Sequence, residues 1–226
     1  MKPTYHILKG DLIRLRPWLL LVTIVSGGFI LFWDVPLAWY FKTELDPSIH
    51  RLMGTLTEAA NGAFWYGLAA AGLTSSLALA HRAKDEEHIT RFRNQVRAWV
   101  FMLVSMLTAA VLINFLKIAI GRYRPRYLFN DHQSGFEPFG VALKMASMPS
   151  GHAQSIWSAM IALAFLTPRF APLYFVIALI VSISRFITAV HFVSDVIVGS
   201  FLSIAIAFLM RRWFERNNQS VRLSMS

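Results

Sequence analysis

Residues 150–210 read SGHAQSIWSAMIALAFLTPRFAPLYFVIALIVSISRFITAVHFVSDVIVGSFLSIAIAFLM, three apolar runs separated by two short joints. The runs cover about 152–167, 171–190 and 195–210, each near the length needed to cross ~30 Å of hydrocarbon. Only Pro168, Arg169 and Phe170 separate the first two, which predicts a tight antiparallel helical hairpin. Around the second joint stand Arg185, His191 and Asp195, groups that a purely lipid-facing helix has no use for.

Working outward, further apolar runs occupy about 18–33, 62–80 and 98–120. The expectation is an all-α polytopic membrane protein with six transmembrane helices, read as a single domain over 1–226 because no internal repeat, low-complexity tract or long polar linker interrupts it. Arg14 and Arg16 precede the first run as they would a signal peptide, but no small-x-small cleavage site follows, so it reads as an anchor. Composition agrees. The chain is 56% hydrophobic and only 15% charged, with mean hydropathy +0.50, which excludes disorder and a soluble nucleic-acid-binding domain. The absence of cysteine excludes a disulfide scaffold and thiolate zinc sites.

A net charge of +10 then needs an explanation from position. With a cytoplasmic N-terminus, six spans put the N-terminal tail, the 82–97 loop, Arg169 and the C-terminal tail on the cytoplasmic side, carrying fourteen cations. The first opposite loop holds only Lys42 and Arg51 against Asp34, Glu44, Asp46 and Glu58. That is the positive-inside pattern. Residues 121–151 break it, with Arg122, Arg124, Arg126 and Lys144 on the outer side, while Lys117 and Arg185 fall inside helices near their outer ends. One such cation would snorkel to headgroups; several gathered at one face favour an anion site.

Three stretches converge there. Lys117-Ile-Ala-Ile-Gly-Arg-Tyr-Arg124-Pro125 ends the third span, and seven residues would put Lys117 and Arg124 on one face if the helix ran on, although Gly121 and Pro125 make its end uncertain. Arg supplies a planar fork and Lys a point charge, both suited to phosphate. Pro149-Ser150-Gly151-His152 opens the fourth span: Ser150 is a good N-cap, the helix N-terminus offers free N–H groups, Gly151 permits close approach, and His152 can deliver a proton. Ser184-Arg185 is followed by His191 and Asp195, four apart, so a carboxylate can fix the imidazole tautomer and leave the other nitrogen nucleophilic. The six-residue spacing of Arg185 and His191 puts them on different faces of one helix, which predicts either a break between them or a geometry imposed by their partners.

K-x6-R-P, P-S-G-H and S-R-x5-H-x3-D, in that order over 117–195, resemble the motif set of the type 2 phosphatidic acid phosphatase superfamily, the lipid phosphate phosphatases, in their bacterial membrane-bound branch. The resemblance implies that Lys117, Arg124 and Arg185 hold phosphate oxygens, with Ser150 and the Gly151 N–H completing the cradle. It implies that His191 attacks phosphorus and forms a phosphohistidine, oriented by Asp195, while His152 protonates the leaving group and later activates water. It implies no cofactor and no metal.

The remaining polar residues read more plainly. His6, His81 and His88 are solvated or headgroup-facing; His50 and His132 lie in outer loops. Arg122 and Arg126 flank the first motif, where headgroup binding and surface solvation are equally good readings. Trp18, Trp33, Trp39, Trp65, Trp99 and Trp213 read as interfacial belt residues, and 128–147, with Phe129, Phe136 and Phe139, as a membrane-lying loop that shapes substrate access. The expected function is removal of a terminal phosphate from undecaprenyl diphosphate, phosphatidylglycerophosphate, phosphatidate or a lipid A phosphate, at the outer face of a bacterial inner membrane. The expected partners are the bilayer and that lipid, with no nucleic acid. Alternatives are phosphotransfer through the same residues, or a transporter or binder of anionic lipids; the His191–Asp195 pair and His152 argue against the latter.

Overall fold

Local sequence signals set the helix boundaries. Asp46 caps α3 (Pro47–Thr57) by accepting from the Ser48 N–H, with Pro47 in the first turn; Asn61 caps α4 (Gly62–Arg82) through Ala63, and Asp85 caps α5 (Glu86–Ile120) through His88. Gly121, in the left-handed conformation at φ 60°, stops α5, and a Cβ there would meet the Glu137 carbonyl oxygen at 1.7 Å, so only glycine fits. The computed structural model describes residues 3–140 and 145–217, with side chains from Gly10 onward. The cations Lys2, Lys9, Lys144 and Arg222 lie outside that description, as does the side chain of His6.

The elements are α1 (Pro3–Gly28), continued by a π-helical turn (Phe29–Trp33) into α2 (Asp34–Thr43); α3 (Pro47–Thr57), a 3-10 turn (Glu58–Ala60) and α4 (Gly62–Arg82); α5 (Glu86–Ile120); the short α6 (Pro125–Asp131); α7 (Gly151–Leu166); a 3-10 turn (Pro168–Phe170) and α8 (Ala171–Ile187); and α9 (Val193–Arg216). Among the described residues there is no strand, only one isolated bridge between Arg122 and Phe136. Among the described residues, five stretches are long and apolar enough to cross a membrane: Gly10–Thr43, Pro47–Arg82, Glu86–Ile120, Pro168–Ile187 and Val193–Arg216.

α7 is the exception, and its position explains why. Its 16 residues span ~24 Å, less than the hydrocarbon thickness. Every residue from Ala153 to Met160 is buried, because α5, α8 and α9 surround the helix and α4 touches it. A helix shielded by its neighbours has no need to reach both interfaces. Ala98, Ala109, Ala153, Ala159, Ala178 and Ala207 keep the backbones close, and Phe101, Met102, Met106, Ile156 and Met160 fill the centre. The outer surface is the reverse of a soluble protein's. Leu20, Ile24, Leu31, Phe32, Val111 and Phe115 are 63% to 74% exposed, an apolar perimeter that only lipid can cover.

Three expectations change. The first span does not give way to an outer loop at Asp34: the helix continues to Thr43, and Asp34 is 1% exposed inside the protein. Two buried aspartates hold this otherwise lipid-exposed helix against α9, Asp11 pairing with Arg212 and Arg216, and Asp34 with Ser194 near the start of α9. Trp65 and Trp99 pack on the core rather than forming a belt; the Trp99 ring fills the space that a side chain at Gly72 would need, so it joins α4 to α5. Residues 128–147 are not simply laid on the membrane either. The chain from Gly135 to Phe139 folds back on the end of α5, with Tyr123 N–H donating to Gly135, Glu137 N–H to Gly121 and Phe139 N–H to Ile118. Phe139 remains 73% exposed, and residues 141–144 lie outside the description.

Candidate active site

The C-terminal end of α5, the N-termini of α7 and α9 and the C-terminal end of α8 meet at one end of the bundle. α5 stops at Ile120, so Lys117 and Arg124 do not share a helical face; Arg124 sits just before α6. They converge nonetheless. Lys117 Nζ donates to the Ala146 carbonyl at 2.7 Å and Arg124 Nη2 to the same oxygen at 3.5 Å. Lys117 also passes over the start of α7, since a Cβ on Gly151 would meet its Cε at 3.7 Å.

Ser150 is the N-cap of α7, its Oγ accepting from Ala153 N–H at 3.4 Å, and it is fully buried. Its own N–H donates to the Asp195 carbonyl at 2.9 Å, which ties the second motif to the third. Gly199 makes that contact possible: a Cβ there would lie 2.6 Å from the Ser150 carbonyl oxygen, against backbone that cannot move aside. His152, in the first turn of α7, stays exposed, with Arg185, Arg124 and Lys117 as the nearest acting charges.

The break predicted between Arg185 and His191 is present. α8 ends at Ile187, Ala189 turns through φ 51°, and the Arg185 carbonyl accepts from the N–H groups of Val190 and His191. Arg185 is 5% exposed, and its Nη1 donates to Thr57 Oγ1 at 2.6 Å. Among the described residues the buried Nε groups of Arg124 and Arg185 have no hydrogen-bond partner, a costly state for charged donors that an anionic ligand would relieve.

His191 and Asp195 are not stacked on one helix. His191 lies in the turn before α9, Phe192 is the N-cap, and Asp195 sits in the first turn, accepting from the Phe192 N–H at 2.9 Å. Nδ1 of His191 faces Asp195 Oδ2 at 3.4 Å, long for a hydrogen bond. Burial, opposed by Asp195 and reinforced by Lys117 and Arg185, holds the imidazole below its ordinary pKa, at about 4, so it is neutral near pH 7.

Arg122 departs most from expectation. It is 4% exposed, neither solvated nor at a headgroup. Nη1 donates to Asp195 Oδ1 and Ser194 Oγ, both at 2.6 Å, and Nη2 to Asp34 Oδ2 at 2.8 Å. Ser194 Oγ donates to the same Asp34 oxygen, Ser147 Oγ donates to Asp195 Oδ2 at 2.6 Å, and the Phe192 ring lies 4.2 Å from the guanidinium. Every oxygen of both aspartates is therefore engaged. This is how a buried ion-pair network avoids the cost of unpaired charge.

The sequence model of the PAP2 superfamily matches residues 98–219, more than half of the chain and all three motifs. The chain belongs to the PAP2 superfamily. The lipid A 1-phosphatases of Rhizobium etli and Rhizobium johnstonii are each 31% identical to it over 104 residues. Those matches span 45% of this chain and 45% and 43% of the two relatives, less than half of each. A crystal structure of a transmembrane PAP2-type phosphatidylglycerolphosphate phosphatase from Bacillus subtilis superimposes with a TM-score of 0.63, covering 88% of this chain and 94% of that one at 22% identity. That likeness establishes the membrane fold of this PAP2 protein.

Asp34, Ser194, Ser147 and Thr57 escaped the sequence reading. Asp34 had one readable signal, a carboxylate within the apolar stretch FILFWDVPLAWY, where an ionisable group marks a buried partner. Among the described residues no group of three or more His, Cys, Asp or Glu could hold a metal ion.

Proposed function

We propose that this protein is an integral membrane lipid phosphatase that releases a terminal phosphate from a lipid monoester or diphosphate through a phosphohistidine on His191. The observation that carries the reading is a buried, neutral His191, its Nδ1 turned to Asp195, within the field of Lys117 and Arg185, with Arg124 sharing the Ala146 carbonyl with Lys117. In the first step His191 Nε2 attacks phosphorus and the bond to the lipid oxygen breaks, while His152 gives its proton to that oxygen. In the second, His152 takes a proton from water, whose oxygen attacks phosphorus; the P–N bond breaks and His191 returns to its neutral form. The cations and the free N–H groups at the start of α7 stabilise the charge on the phosphoryl oxygens throughout. No metal enters this scheme.

The relatives support a lipid substrate, and their names make lipid A and phosphatidylglycerophosphate the first two lipids to try. Phosphate release from these, undecaprenyl diphosphate and phosphatidate, assayed side by side in detergent, is the direct test. At least one is expected to turn over, with activity surviving EDTA and blocked by vanadate. Loss of all activity in EDTA, restored by a divalent cation, would overturn the metal-independent scheme.

Six spans, α7 included, with cytoplasmic termini and the site facing the periplasm of a bacterial inner membrane, follow from the charge distribution. The absence of cysteine makes this simple to check. In cells, a membrane-impermeant maleimide is expected to label Phe139→Cys and to leave Arg93→Cys unlabelled until the membrane is opened; the reverse pattern would invert the topology.

A further inference from the structure

Beside the cradle lies a cavity of about 290 Å³ lined by Lys42, His50, Arg124, Arg126, Phe129 and residues 188–190. Three of these side chains are basic, and among the described residues no carboxyl group lines the space. Its walls come from four places in the chain: Lys42 from the last turn of α2, His50 from α3, Arg124 and Arg126 from the start of α6, and the turn after α8. Phe129 is fixed by an edge contact with Trp39 at 4.9 Å between centroids, and the Arg126 guanidinium lies 4.7 Å from the Tyr127 ring. Arg124 belongs both to this cavity and to the cradle, where it shares the Ala146 carbonyl with Lys117. Val190, in the cavity wall, immediately precedes His191. The cavity therefore adjoins the reacting centre and continues its positive charge outward.

We propose that this cavity is a second anion subsite, which takes a phosphoryl or phosphodiester group carried by the same lipid next to the scissile phosphate. The inference rests on the phosphatase reading and narrows its substrate class. A simple monoester such as phosphatidate fills the cradle and leaves the subsite to water. A headgroup with two adjoining anions, a diphosphate or a phosphatidylglycerophosphate, fills both. Lys42 and Arg126 then discriminate between lipids: on a phosphatidylglycerophosphate their charge meets a phosphodiester that does not react, and on a diphosphate it meets the departing inner phosphate.

The test uses the full chain in detergent with dioleoyl phosphatidate and dioleoyl phosphatidylglycerophosphate, comparing wild type with the double variant Lys42→Gln, Arg126→Gln. The ratio of kcat/KM for the two-anion lipid over that for phosphatidate is expected to fall about tenfold, mostly through KM. The charge-keeping double variant Lys42→Arg, Arg126→Lys is expected to hold the ratio within about twofold. An unchanged ratio in the glutamine variant overturns the subsite. So does an unchanged ratio accompanied by weaker inhibition by inorganic phosphate on both lipids, which would make the cavity a site for free phosphate. If wild type releases phosphate from neither of these lipids nor from the other two in the panel, the phosphatase reading itself fails and the subsite with it.

Discussion

His191→Ala is expected to lower kcat for phosphate release by about 10³–10⁴-fold or more while leaving the protein folded and its lipid affinity within a few-fold. The expectation follows from three features of the residue. Its Nδ1 is turned to Asp195, so the free nitrogen is Nε2. Burial keeps the ring neutral well below pH 7, so a lone pair is available without a separate base. It also stands in the turn between α8 and α9, while the proton-donor role falls to His152, exposed in the first turn of α7. The alanine variant should accordingly trap no phosphorylated protein on alkaline quenching, whereas wild type with a slow substrate should show a base-stable, acid-labile phosphoryl group. Phosphate release within tenfold of wild type would remove the covalent mechanism.

The parts of this site that were legible in the sequence are those whose chemistry is local. Lys117, Arg124, Ser150, Gly151 and His152 stand at helix ends that their own neighbours define, so their place at one end of the bundle was legible, although not the shared helical face that seven residues would give Lys117 and Arg124. The break after Arg185 was legible because six residues cannot put two groups on one helical face. Other features depend on what lies far away in the chain. Arg122 looks like any juxtamembrane arginine until α1–α2 and α9 are in place. Its partners are Asp34 and Asp195, 88 and 73 positions distant, and no periodicity connects them. Gly199 reads as one more small residue in a membrane helix, yet it sets how closely α9 approaches Ser150. The short span of α7 is likewise a tertiary fact, since only its enclosure by neighbours makes ~24 Å sufficient.

Arg122→Lys is expected to lower kcat about 10²-fold with little change in KM, and Asp34→Asn to do so more weakly. Neither residue touches the cradle, so both act through Asp195. The guanidinium grips Asp195 and Ser194 with one nitrogen and Asp34 with the other, a fork that a single ammonium cannot reproduce. Arg122 is shared between two buried carboxyl groups, and one of them, Asp195, faces His191. When His191 bonds to phosphorus its ring becomes cationic, and the Asp195 carboxyl that Arg122 positions stabilises that charge more in the intermediate than in the resting enzyme, a differential effect that appears in kcat. Arg122→Leu would instead strand both carboxylates, costing about 3–5 kcal/mol, and is expected to lower the melting temperature as well as the rate. A purely structural role for Arg122 predicts that Arg122→Lys loses stability and rate together. The positioning role predicts a melting temperature within a few degrees of wild type, a selective fall in kcat, and partial recovery of stability when Arg122→Leu is combined with Asp34→Leu, with no recovery of rate because Asp195 is still unheld.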